Sequence, residues 1–379
     1  MNTRVLVTGS EHPAGLAALR ALDRAGFETW AAVQSRESLG ARSRAAAGYV
    51  DVPDARAAPE EFVAALADAS ERLGVAAVLP GTEAALLAMT GREEAFPESV
   101  AVGTPSEVAL RRATSKVSLA LLAPPAGFRN PPIRVLSPEL LATSDQPVPA
   151  IVKPLNSELT TGGSLQRYEA CRVTSMAALE ESLRRLPDEL GLVQPYIEGP
   201  LISINGVAYD GVLHGANQHV VHRVWPDRCG QAVFAETIPM TAEREDRTAA
   251  FMKALGWSGI FNLQIIESGG EDYVIDLNPR FYVSLTLAVA AGINLPAIWT
   301  MLLLGRPVEA RGYRVGMRFR HETGDVRAIV AGVRRGRFAA ARDLFPRRHT
   351  AHALFSLRDP RPASAIVAGA LGALRKRAG

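Results

Sequence analysis

Short apolar runs alternate with helical periodicity through the first hundred residues. Residues 5–7 form a compact apolar strand followed by a turn at Gly9, and Leu16, Leu19, Ala21 and Leu22 then share one face of a helix predicted over 15–25. Residues 29–33 predict a second strand, 62–73 an amphipathic helix, and 75–79 the strand it returns to, closing at Pro80 and Gly81. Strands joined by crossover helices imply a Rossmann-like parallel unit. The spacing from Gly9 to Gly15 is not a GxGxxG fingerprint, and the second strand runs out in Gln34 and Ser35 with no acid to hold a ribose. A domain that shapes a substrate pocket is therefore expected here, rather than a nicotinamide or flavin site.

Beyond residue 110 the pattern changes character. A helix carrying Lys116 leads into a Pro-rich stretch, 122–138, that reads as a connector between domains. Strands are predicted at 150–153 and 191–196, with a small-residue loop around Gly162 and Gly163 between them. Residues 202–207, 212–216 and 218–224 alternate as strands separated by tight turns, which implies an antiparallel sheet. The fold class is thus α/β followed by α+β. The most membrane-like stretch, 285–304, is broken by Gly292, Asn294 and Pro296 and reads as two core helices.

The most informative segment is FNLQIIESGGEDYVIDLNPRFY, from Phe261 to Tyr282. It predicts a hairpin in which 260–266 and 273–277 pair across Gly269 and Gly270. Asp276 and Asn278 are two apart and project to one face of the strand, and Gln264 can reach that face from the partner strand. One carboxylate and two amide oxygens suit a hard cation such as Mg²⁺, which is usually shared with substrate phosphates. Arg280 follows at once, a fixed positive fork for a phosphate or acyl phosphate oxygen. Without further context, an acid and an asparagine at a strand end are equally an ordinary turn.

DLNPR, the small-residue helix after it and AGINLP resemble the metal-site hairpin of the ATP-grasp superfamily. Other segments fall in that family's order. Ser115-Lys116 resembles the first ATP lysine, IVKP the strand carrying the second at Lys153, residues 156–164 the lid over the phosphates, and VQPYIEGP the adenine hinge. The resemblance covers roughly residues 1–310. It implies an ATP- and Mg²⁺-dependent ligase that activates a carboxylate as an acyl phosphate for attack by an amine. It also implies that Lys116 and Lys153 contact phosphates, and that Gln194 and Ile197 meet adenine. Glu198 would stand in for a ribose-binding acid absent at Leu201. Asp276, Asn278 and Gln264 would hold the metal, with Arg280 and Arg223 on the transferring phosphoryl group. Gln264 stands where an acid is frequent, and Val283 where a glycine is common. The alternatives are an ATP-grasp enzyme with another nucleophile or phosphoryl acceptor, and a nucleotide-binding protein without turnover. The implied domains are 1–110 (Rossmann-like), 111–200 (central and lid), 201–310 (catalytic) and 311–379 (a basic helical extension).

Composition then narrows the partners. Of 379 residues, 47% are hydrophobic, enough for several buried cores, and Cys171 and Cys229 are too few for a disulfide framework. A cytoplasmic location is expected. The seven histidines show no metal-binding spacing. The net charge of +3 is uneven: residues 311–379 hold sixteen Lys and Arg against four acids, Arg375 and Arg377 among them. That tail is expected to cap the preceding domain through Phe338, Leu344, Phe345, Leu354 and Phe355, with docking to an anionic surface or carrier as the rival reading. Small-molecule carboxylate and amine substrates are expected and nucleic acid is not; oligomerisation is left open.

Overall fold

A computed structural model describes residues 3–155, 158–161, 164–168, 170–227, 230–309, 312–336, 338 and 348–364. The first unit contains β1 (Arg4–Val7), α1 (Pro13–Arg24), β2 (Glu28–Val33), α2 (Leu39–Arg42), β3 (Ala46–Asp51), α3 (Pro59–Leu73), β4 (Ala77–Leu79), α4 (Glu83–Met89) and β5 (Ala101–Val102). Its five strands are all parallel, in the order β3-β2-β1-β4-β5. The order reverses between β1 and β4, the topological switch point at which ligands of such sheets bind, and here the loops leaving the two strands are joined by a bond from the Gly81 amide to the Thr8 hydroxyl. Leu16, Leu19 and Leu22 of α1 are fully buried, each contributing about 1.5–3 kcal/mol relative to exposure.

The second unit runs through α5 (Glu107–Thr114), α6 (Lys116–Leu122), β6 (Arg134–Leu136), α7 (Pro138–Leu141), β7 (Ala150–Lys153), β8 (Glu158–Thr161), β9 (Ser164–Arg167), β10 (Cys171–Val173), α8 (Met176–Arg184) and β11 (Gly191–Pro195). Its antiparallel sheet has the order β10-β7-β11-β6. The Pro-rich stretch is more than a connector: β6 lies in it, because Arg134, Val135 and Leu136 find partners in Val193, Leu192 and Gly191. Strands β8 and β9 form a separate pair within the expected lid segment, whose Asn156, Ser157, Gly162 and Gly163 lie outside the described residues.

The third unit contains β12 (Leu201–Tyr209), β13 (Val212–Trp225), β14 (Gln231–Thr237), α9 (Ala242–Leu255), β15 (Gly259–Ser268), β16 (Glu271–Asn278), α10 (Leu285–Ala291), α11 (Leu295–Leu303), β17 (Arg318–Arg320), α12 (Glu322–Arg334) and β18 (Thr350–His352). Its seven-stranded sheet has the order β16-β15-β12-β13-β14-β17-β18. The strands expected at 212–216 and 218–224 are one 14-residue strand. Asn217, read as a turn residue, is instead paired with Asn205 and fully buried. Helices α10 and α11 are bent by 92° to one another, and among the described residues no single helix is long and apolar enough to cross a membrane. Both pack against α1, joining the first and third units in one apolar core with Phe281, Tyr282 and Trp299.

Described residues after 311 enter this architecture through strands, core contacts and ion pairs. Strands β17 and β18 extend the large sheet, and Phe319, Ala353 and Leu354 share a core with Leu16 and Leu287. The chain is then tied to the first unit by an ion pair between Arg20 and Asp359, 2.9 Å apart. Arg20 also donates to the Leu354 and Asp359 carbonyls, and the Asp359 carboxylate accepts from the Ser43 hydroxyl and the Arg44 amide. Two residues expected to be buried are not: Phe338 is 69% and Phe355 50% exposed. Leu344, Phe345, Arg375 and Arg377 lie outside the described residues.

Candidate active site

The hairpin predicted around Gly269 and Gly270 is present. Both glycines have positive φ, 60° and 79°, which a two-residue turn matched to the twist of its strands requires. Its turn end is clamped from α9: Arg244 forks onto the buried Asp272 with bonds of 2.9 and 2.7 Å, and holds Glu267 at 2.7 Å. Register places Gln264 directly across from Asp276, and Asn262 across from Asn278, so all four share one face of the sheet.

Three positive groups converge on Asp276. Lys116 begins α6, where the Ser115 hydroxyl caps the helix, and its ammonium donates to the Asp276 carboxylate. The Lys116 amide donates to the Leu155 carbonyl, holding the start of α6 against the end of β7. Lys153, the last residue of β7 and 8% exposed, donates from Nζ to the Ile275 carbonyl at 2.7 Å. Arg280 donates from Nη2 to the Asn278 oxygen at 3.1 Å and from Nη1 to the Phe281 carbonyl at 2.9 Å. Burial alone would raise the Asp276 carboxyl. The charges of Lys116 and Lys153, the hydrogen bond from Lys116 and the charge of Arg280 outweigh it and hold the group below the ordinary carboxylate range.

The remaining expected residues are more dispersed. Gln194 is buried near the end of β11 and pairs in register with Ile151. Ile197 is half-buried and Glu198 exposed in the link to β12. A Cβ on Gly199 would lie 2.0 Å from the Glu267 carbonyl oxygen, so this hinge passes the hairpin where only glycine fits. Arg223 donates from Nε to the buried Asp325 of α12 at 2.8 Å and stacks on Phe234. Its fork is therefore anchored to the segment beyond 311, a partner that sequence order does not reveal.

Two rows of polar side chains cross the large sheet on the face that carries Asp276. One is Asn217, Asn205, Asn262 and Asn278, and the other His219, Ser203, Gln264 and Asp276. Sequence reading found only the β15–β16 end. A signal was present: each of four apolar strands carries two polar residues spaced by two, at 203/205, 217/219, 262/264 and 276/278. His219, Asn205 and Asn262 are almost fully buried and hydrogen-bonded together. Burial pushes the His219 imidazole down to about 3, so it is neutral at physiological pH.

The donor set fits a hard divalent cation. Asp276 is kept ionised, and Asn278 and Gln264 add amide oxygens from the same face. Among the described residues no group of three or more His, Cys, Asp or Glu could hold a metal alone, so phosphate oxygens would have to complete the shell.

The loop after the hairpin reaches the first unit. A Cβ on Gly81 would lie 3.1 Å from the Phe281 ring, which stands edge-on to Trp299, and the Gly81 amide donates to the Thr8 hydroxyl at 2.9 Å. Phe281 of this loop thus packs against the loops that leave β1 and β4. Residues 188–324 match the family described as ATP-grasp in the biosynthetic pathway with Ter operon. A stretch of 73 residues is 34% identical to the carbamoyl phosphate synthase large chain of Gemmatimonas aurantiaca, covering 19% of this chain and only 7% of that protein. The fold is similar to that of the L-amino acid ligase from Bacillus licheniformis (TM-score 0.61, 18% identity, 81% of this chain and 75% of that one). It is also similar to biotin carboxylase from Campylobacter jejuni (0.62, 17%, covering 83% and 74%). N5-carboxyaminoimidazole synthetase from Staphylococcus aureus gives 0.62 at 11% identity, covering 83% and 82%. Residues 188–324, which carry Asp276, Asn278 and Arg280, are thus similar to the ATP-grasp family, and the chain shares the fold of the ligase, carboxylase and synthetase just described.

Proposed function

We propose that the protein is an ADP-forming ligase that phosphorylates a carboxylate with ATP and passes the acyl group to an amine. The observation that carries this reading is the convergence of Lys116, Lys153 and Arg280 on the ionised carboxylate of Asp276, where β7 of the second unit meets β16 of the third. A carboxylate cannot expel oxide, whereas an acyl phosphate expels phosphate when an amine attacks its carbonyl carbon. Charge accumulates on phosphate oxygens throughout, so the protein's work is positioning and charge stabilisation.

In this reading Lys116 and Lys153 exchange Asp276 and the Ile275 carbonyl for nucleotide phosphates, a role suited to compact ammonium groups on flexible stems. Arg280, steadied by Asn278 and the Phe281 carbonyl, supplies the positive charge that stabilises the transferring phosphoryl group. Asp276, Asn278 and Gln264 would hold Mg²⁺, which would supply charge neutralisation to the nucleotide polyphosphate. Gln194, Ile197 and Glu198 form the nucleotide hinge, and Arg223 supports the phosphoryl side while anchored by Asp325. The carboxylate and amine are received where residues 279–284 face the β1 and β4 loops. The proposed division is 1–110, 111–200, 201–310 and 311–379, with the described residues of the last packing on the first and third parts.

Two measurements test this reading. A screen of amino acids and small acids for ADP release is expected to find release that requires both a carboxylate and an amine; release indifferent to both contradicts it. Lys153→Ala and Lys116→Ala are each expected to weaken ATP binding about tenfold or more, roughly the 1.4 kcal/mol or more of one charge-assisted contact. Calorimetry checks this, and unchanged affinity in both variants removes the lysines from the site.

A further inference from the structure

The buried asparagines and histidine form one continuous hydrogen-bonded chain. Arg280 Nη2 meets the Asn278 oxygen at 3.1 Å, Asn278 Nδ2 the Asn262 oxygen at 3.0 Å, and Asn262 Nδ2 the Asn205 oxygen at 2.6 Å. Asn205 Nδ2 then meets His219 Nδ1 at 3.1 Å, and His219 Nε2 meets the Ser284 hydroxyl at 3.3 Å. An amide chain could run in either direction, with every carboxamide reversed. Here both ends of the asparagine run forbid reversal. A guanidinium only donates, so it must face the Asn278 oxygen; a backbone carbonyl only accepts, and the Ser203 carbonyl takes a bond from Asn205 Nδ2 at 3.3 Å. His219 Nδ1 is therefore an acceptor, and Nε2 carries the proton toward Ser284.

We propose that Asn262, Asn205 and His219 are positioning residues that hold the Asn278 carboxamide with its oxygen on the Asp276 face, and tie that orientation to Ser284 at the start of α10. A lone asparagine at a strand end presents oxygen and NH₂ with little preference, and NH₂ is no metal ligand. Asn262, 3% exposed, withdraws Nδ2 into the sheet and leaves the oxygen outside. Reversing any link leaves two donors or two acceptors facing each other in a dry interior, which costs about 1–3 kcal/mol per unpaired group. The chain also joins Arg280, on the phosphoryl side, to Ser284 at the start of α10.

This inference rests on the proposed nucleotide and Mg²⁺ site, and the test separates the two. ADP binding is measured by calorimetry with excess Mg²⁺ and with EDTA, for the whole protein and for Asn262→Leu, His219→Leu and His219→Gln. Glutamine can accept from Asn205 and donate to Ser284, so it keeps the polarity that leucine breaks. The expected result is that Asn262→Leu loses about tenfold or more of the Mg²⁺-dependent gain in ADP affinity. His219→Leu should lose a smaller part and His219→Gln should restore it, with EDTA affinities unchanged throughout. If the wild type binds ADP no better with Mg²⁺ than with EDTA, the proposed site and this inference both fall. If the wild type shows the gain and the folded Asn262→Leu and His219→Leu variants keep it in full, the inference alone is overturned. Loss of EDTA affinity in parallel would show general damage to the sheet and would also overturn it.

Discussion

Asp276→Asn is expected to lower turnover by at least about a hundredfold, beyond the 10–100-fold typical of groups one step removed from a metal. It should also raise affinity for metal-free ADP, because Lys116, Lys153 and Arg280 lose the anion they share. Calorimetry in EDTA reads the second effect separately from activity. A dead enzyme whose metal-free ADP affinity has fallen would mean that Asp276 is structural. The pH dependence follows from the depressed carboxyl. A group whose folded pKa lies below its unfolded value, about 3.9 for Asp, stabilises the fold above that value and loses the contribution as pH falls through the folded one. The stability difference between wild type and Asp276→Asn should therefore be flat from neutrality down to about pH 5 and close below about pH 4.

Arg20→Met is expected to cost about 3–5 kcal/mol of stability, the penalty for leaving a buried carboxylate without its partner. The side chains of Arg20 and Asp359 are only 8% and 6% exposed, and their bonds join α1 to the segment that follows β18. Arg20→Met combined with Asp359→Leu should recover most of the loss, since removing both charges leaves neither unpaired. Thermal melting checks both variants. Turnover per folded molecule should change little, because the pair lies apart from Asp276 and the lysines. Melting of Arg20→Met at the wild-type temperature would show that the segment after β18 merely lies on the surface. Such a result would restore the docking reading of the basic tail.

The local parts of this molecule were legible in the sequence, and the parts made by distant pairing were not. The hairpin declared itself through alternation, Gly269-Gly270 and the Asp-x-Asn spacing, all within one continuous stretch. Lys116 and Lys153 are unremarkable alone and became visible only through the order of motifs. Strand β6 was hidden because its three residues lie among prolines and owe their strand character to β11, more than fifty residues later. Asn217 fell between two strands expected at 212–216 and 218–224, whereas its side chain joins a polar row assembled from four strands. Asp325, which fixes Arg223, is 102 residues further along the chain. Exposure of Phe338 and Phe355 shows the reverse error, in which apolar character was taken to demand burial.

The central claim is that the γ-phosphoryl group of ATP is transferred to a carboxylate oxygen before the new bond forms. It is tested most directly with a carboxylate found by the ADP-release screen and labelled with ¹⁸O at both oxygens. Phosphorylation makes one labelled oxygen the bridge to phosphorus, and amine attack breaks the bond from that oxygen to carbon. The account predicts that each inorganic phosphate released carries one ¹⁸O, with ADP formed in equal amount. Unlabelled phosphate, or AMP and pyrophosphate in place of ADP, would contradict it.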